Sequence, residues 1–204
     1  MLLRARARPA SSPMRSFDPR AVGRLEARAW ETYYRRKWLA CLVAFVSLVR
    51  AAFRMSWPRT LAGAWLVLRA NMKWAPYPDN DPAAVRALMT RFYRLLRASE
   101  PEAAFDPPRA AVLEVDWWRA HREAQHGAGP GAHAELVAAL RDLYAYTYAC
   151  EAADVLAAAE LRAEAMDVSD AWVAAGCDVE DPRLAQEAAL LVRSYAALLA
   201  AVHR

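Results

Sequence analysis

The chain has 204 residues, of which 57% are hydrophobic and only 6 are glycine; this excludes a disordered polymer or a loop-rich sandwich and leaves room for one domain with a real core. Its net charge of +4 conceals an asymmetry: residues 1–73 hold 15 basic and 3 acidic residues, residues 74–204 hold 12 and 20. Either the basic half offers a surface to an acidic partner, nucleic acid or an anionic membrane, or the basic helices pack against the acidic ones, and the apolar run between the charges favours packing and disfavours nucleic acid.

In chain order, residues 1–15 carry Arg4, Arg6, Arg8 and Arg15 among Pro and Ser, with no apolar run of secretory length behind them. They read as a disordered basic tail, with Met14 as an alternative start, and residues 16–204 read as the helical domain. Four Asp-Pro pairs then punctuate the sequence at Asp18, Asp81, Asp106 and Asp181. Each predicts a helix start, because the Asp side chain accepts from an orphan amide and Pro at the first position gives up only a donor that would be unpaired anyway. Ser56-Trp57-Pro58 is a fifth signal of the same kind. The expected helices lie at about 19–55, 58–73, 82–98, 107–126, 133–149, 152–175 and 183–203. No stretch alternates with period 2, so the fold class is all-α, a single-domain antiparallel bundle of about seven helices.

The first helix is long enough to break near Arg35-Arg36-Lys37. On it Glu26 shares a stripe with Trp30, Tyr33 and Lys37, and its expected partner is Lys37 or a neighbouring arginine. The apolar run Trp38–Val49 is bounded by Lys37 and Arg50 and falls short of the roughly 20 residues of a membrane span, so no transmembrane segment is expected. Cys41, Cys150 and Cys177 are far apart and lack metal or disulfide spacing, which fits a reducing, cytoplasmic setting. Between the second and third helices, Trp74 and Tyr77 alternate with prolines. This loop either walls a pocket or packs its aromatics onto the bundle end.

Residues 107–126 hold the densest chemistry. Glu114, Trp117, Trp118, His121 and Gln125 fall on one stripe, whereas Asp116, Arg119 and Glu123 face away as a ladder of alternating charge. Glu114 and His121, seven residues apart and about 20° apart in direction, can reach one ion or form a buried Glu–His hydrogen bond. After the flexible run Gly127–Gly131, the sixth helix carries Glu160, Glu164 and Asp167 at i, i+4 and i+7, with Asp170 another turn on. Arg162 points away from that stripe. It is either a set of ligands that a cation would relieve or the solvated side of an amphipathic helix.

Glu114-x6-His121, followed by a helix with ligand candidates at i, i+4 and i+7, resembles the haem-oxygenase-like di-metal oxidases in its spacing. In that family the later helix sets histidines around a carboxylate, where this sequence has Glu160 and Asp167. The resemblance implies iron or manganese held by Glu114, His121, Glu164 and a glutamate such as Glu26. It further implies O₂ activation beside a pocket lined by Trp117 and Trp118, with a small, partly apolar molecule as substrate. The alternative expectation is a non-enzymatic helical binding or adaptor module that works through its basic first half.

Overall fold

The structure, a computed structural model, describes residues 12–127, 129 and 131–203, and it is all-helical, with no strand among the described residues. Eight α-helices follow in order: α1 (Pro19–Tyr34), α2 (Trp38–Phe53), α3 (Trp57–Trp74), α4 (Pro82–Ser99), α5 (Pro107–Gln125), α6 (Ala132–Tyr148), α7 (Leu156–Ala174) and α8 (Arg183–Val202). Residues 1–11, most of the expected tail, lie outside the described residues. The last of that tail belongs to the fold: Pro13–Arg15 form a 3₁₀ turn whose Met14 is buried, and the Ser12 hydroxyl donates to Glu100 across 2.6 Å.

Eight helices replace the expected seven because the first one ends at residues 35–37. Arg36 turns left-handed, with φ 57°. The Lys37 amide then reaches back to the Thr32 carbonyl (2.9 Å) and the Arg36 amide to that of Tyr33 (2.9 Å), the double closure that ends a helix when one residue goes left-handed. That conformation costs a non-glycine residue about 1–2 kcal/mol. Arg36 offsets it by donating to the Ala75 carbonyl (3.0 Å) and by lying over the rings of Tyr33 and Trp38.

The Asp-Pro signals act as the capping rule requires. Asp18, Asp81 and Asp106 accept from the amides of Arg20, Ala84 and Arg109 at 2.9–3.0 Å. Asp181 accepts from Arg183 (2.9 Å), and α8 starts at Arg183. α7 begins at Leu156 rather than near 152, because the residues before it form a turn. It stops at Gly176, where φ is 99°.

Each helix packs on the next in sequence, and α8 packs on both α7 and α1, so the order of contacts closes on itself. The closing seam is tight at Gly23 of α1, where a Cβ would meet the Val192 backbone nitrogen at 2.6 Å. No side chain larger than hydrogen fits there. α8, and not the apolar run at 38–49, is the one helix among the described residues with the length and composition of a membrane span. Its apolar stripe, including Leu191, Leu198 and Val202, is buried within the protein.

Among the described residues the basic side chains of the first half find their ion-pair partners elsewhere than among the acids of the second half. No ion pair among the described residues joins a base of 1–73 to an acid of 74–204. Instead the arginines donate to main-chain carbonyls at the ends of elements. Arg15 bonds the Val202 and Tyr148 carbonyls, Arg50 that of Met55, Arg54 that of Ser16 and Arg59 that of Ala98. Helix C-termini carry unpaired carbonyls and partial negative charge, so a guanidinium satisfies both.

Candidate functional site

Inside the closed order of helices lies a cavity of about 220 Å3 to which all eight contribute. Its walls are largely aromatic and aliphatic: Trp30 from α1, Phe45 and Phe53 from α2, Trp74 from α3, Phe92 from α4 and Trp118 from α5 all face it. The expected pair Trp117 and Trp118 is part of this wall, with ring centroids 5.9 Å apart. Trp118 meets Trp74 edge to face, which places the Trp74 end of the Pro-rich loop at the cavity. Tyr77 lies outside, half-exposed and stacked on His126 at 4.0 Å.

A charge stands in this apolar interior. Arg162 of α7, 8% exposed, forms an ion pair with Glu26 of α1. Its guanidinium also donates to the Tyr144 hydroxyl (2.9 Å) and lies 5.0 Å from the Trp117 ring and 5.9 Å from those of Trp30 and Tyr144. Aromatic faces attract a cation and hold it where water does not reach. Burial, together with the negative Glu26 nearby, raises Tyr195 well above the usual phenol range.

Glu114 has partners of its own. The Tyr93 hydroxyl donates to it at 2.7 Å and the Trp118 ring nitrogen at 3.0 Å. Burial pushes its carboxyl up, against the pull of the Tyr93 bond and the Arg162 charge. His121 sits elsewhere, with Nε2 3.1 Å from an Asp170 oxygen. Asp170 also accepts from Gln125, whose side chain reaches the Tyr34 hydroxyl (3.0 Å). The expected Glu114–His121 hydrogen bond is therefore replaced by two separate networks, each anchored on a different helix.

The residues expected as metal ligands lie apart in the structure. Among the described residues no three His, Cys, Asp or Glu side chains come together as a ligand group. Glu160, Glu164 and Asp167 are exposed on α7, and Asp167 pairs with His133 at the surface (3.1 Å). The stripe is solvated because Ala158, Ala159, Ala163, Ala165, Met166 and Trp172 take the buried side of the same helix. Glu26 points inward as expected, but to an arginine from α7, not to Lys37 or to a metal. These residues do not fit an iron or manganese centre. Of the expected surface ladder, the pair Arg119 and Asp116 forms, 3.7 Å apart.

Several buried polar atoms remain without partners among the described residues: Glu26 Oε2, Arg162 Nε, Trp117 Nε1 and Thr147 Oγ1, all from residues that line the cavity. An unsatisfied buried donor or acceptor costs about 1–3 kcal/mol, so atoms of this kind call for a bound partner or ordered water. Reading the sequence for ligands missed Arg162, Tyr144 and Thr147. The usable signal was a lone arginine in the otherwise apolar arc Ala158-Ala159-Arg162-Ala163-Met166, opposite one of only two acids between Asp18 and Lys73.

A further buried acid sits between α7 and α8. Glu187 is fully buried, neither oxygen has a hydrogen-bond partner among the described residues, and burial pushes its carboxyl up to about 8, tempered by the neighbouring Ser169 hydroxyl. Compared with family models, curated proteins and solved structures, the chain has no match.

Proposed function

We propose that the eight helices form a single antiparallel domain that encloses a small, partly apolar molecule, held in the central cavity with its polar end at Arg162, Glu26, Trp117 and Thr147. The observation that carries this is the coincidence of an aromatic-walled cavity with four unpaired buried polar atoms from its lining. Binding pockets of this composition use the apolar wall for affinity and a few placed polar atoms for orientation. Donors and an acceptor are both present, so the ligand carries a group that can accept and donate: a carboxylic acid, an amide or an alcohol. This keeps the substrate class of the oxidase expectation and leaves out its iron or manganese. A cytoplasmic setting belongs to the same proposal, since Cys41, Cys150 and Cys177 are free thiols.

The test is calorimetric titration of the purified protein with octanoic acid, octanamide and octanol as probes, alongside the Ala52→Leu variant. Ala52 is buried and lines the cavity, so added methyl groups fill space the ligand needs. At least one probe is expected to bind one-to-one and raise Tm, and the variant to lose that binding while staying folded. Failure of all three probes, or unchanged binding by Ala52→Leu, overturns the proposal.

A further inference from the structure

Six of the nine large hydrophobic side chains exposed among the described residues lie on two neighbouring helices: Leu39 (78%) and Val43 (61%) on α2, and Trp57 (58%), Leu61 (53%), Trp65 (50%) and Met72 (42%) on α3. They are not scattered. Trp57, Leu61 and Trp65 recur every four residues, and Met72 returns to the same arc, so the four span about 80° of α3. Leu39 and Val43 share one stripe of α2 with Arg50, whose guanidinium lies 5.2 Å over the Trp57 ring. That contact joins the two helices into one outer face. The opposite sides of both helices are already buried, at Ala44, Phe45 and Val49 on α2 and at Leu66, Ala70 and Trp74 on α3. A helix apolar on its outward side as well as its inward side belongs against a second apolar phase.

The charge around this face selects the phase. Between Glu31 and Asp79 there is no acidic residue, while eight basic ones occur: Arg35, Arg36, Lys37, Arg50, Arg54, Arg59, Arg69 and Lys73. Lys37, Arg69 and Lys73 are exposed and have no ion-pair partner among the described residues. Lys37 precedes the first turn of α2, and Arg69 and Lys73 flank the α3 arc near its end. A second copy of the chain docked here would set basic rim against basic rim. An anionic lipid surface takes both components at once: headgroups attract the rim, and tryptophan and aliphatic side chains enter the interfacial zone.

We propose that the outer face of α2 and α3 docks this protein, lying flat and without spanning, on a membrane rich in anionic lipid. This is independent of what the cavity holds.

Sedimentation of the purified full chain with vesicles tests it, using phosphatidylcholine alone and a phosphatidylcholine–phosphatidylglycerol mixture. Binding to the mixture is expected to exceed that to the neutral vesicles by at least about tenfold and to fall with added salt. Trp65→Glu and Arg69→Glu should each weaken it by about fivefold or more, with circular dichroism and Tm unchanged because both side chains are exposed. No binding to the mixture, or binding that ignores both substitutions, overturns the proposal. So does a dimer in light scattering that Trp65→Glu dissociates, which would make a second copy the occupant. Retention on duplex DNA that Arg69→Glu abolishes and Trp65→Glu leaves intact would likewise overturn it in favour of nucleic acid.

Discussion

The interior bounded by α1, α5 and α7 and the outer face of α2 and α3 depart from the ordinary partition of residues in opposite directions. The first takes in a charged pair, a further carboxyl and several phenols; the second leaves two tryptophans and four aliphatic side chains outside. Folding alone favours neither arrangement, because burying charge and exposing large apolar area both oppose it. The two regions are therefore where function is most naturally placed. They differ in how they tolerate change: the interior is held by buried hydrogen bonds and an ion pair, the outer face by the contact of Arg50 with the exposed Trp57.

The sharpest way to break this contrast is to remove the cation. Arg162→Met leaves Glu26 buried without its partner, and a loss of about 3–5 kcal/mol in urea unfolding is expected. Adding Glu26→Gln should recover most of that loss, since an uncharged pair has no orphaned charge to bury. Should Arg162→Met alone cost less than about 1 kcal/mol, the interior is wetter than its burial implies.

Glu187 gives a pH-dependent version of the same test. Its folded carboxyl titrates near 8 against an ordinary 4.5, so the folded protein keeps a proton that the unfolded chain has already released. Its contribution is complete below about 4.5 and is lost as pH rises toward 8. Each tenfold difference in proton affinity between the folded and unfolded chain corresponds to about 1.4 kcal/mol. Glu187→Gln is thus expected to gain roughly 2–4 kcal/mol over the parent at pH 9 and almost nothing near pH 4.5. A gain independent of pH would assign the effect to packing instead.

Smaller still is the effect of Tyr93→Phe, which removes one hydrogen bond from the buried Glu114. A loss of about 1–2 kcal/mol is expected, visible in thermal unfolding. At the low end, Leu61→Gln on the outer face should change stability by no more than about 0.5 kcal/mol, because the side chain touches solvent. If Leu61→Gln instead costs as much as Tyr93→Phe, that face is covered in the isolated protein and the contrast between the two regions disappears.

Most of the helical frame was legible in the sequence because its signals are local. Asp18, Asp81 and Asp106 cap the helices they announce, and Gly176 ends α7 as its position suggests. The break after Tyr34 was visible only as an improbably long helix, since Arg36 is an unusual residue for a left-handed closure and its compensating bond to Ala75 comes from far along the chain. The candidate site was legible in part. Glu114, Trp117, Trp118, His121 and Glu26 all line the cavity, but their partners come from other helices, and no spacing within one helix reveals Tyr93, Arg162 or Asp170 across the interior. The acidic stripe of α7 misled for the converse reason: an i, i+4, i+7 pattern of carboxylates is identical whether it faces a metal or water. Only the inward arc that holds Arg162 distinguishes the two faces.

The seam at Gly23 also bears on the route by which the chain folds. Every other extensive pairing of helices joins elements consecutive in sequence, whereas α1 on α8 closes a loop of almost the whole chain. Loop-closure entropy makes that contact the costliest of these pairings to form, and the cavity, lined by all eight helices, is complete only with the two ends together. A change confined to this joint is expected to accelerate unfolding more than it slows folding, which stopped-flow unfolding and refolding in urea would measure. A side chain larger than one hydrogen at Gly23 would thus part the two ends of the chain whose meeting completes the cavity wall.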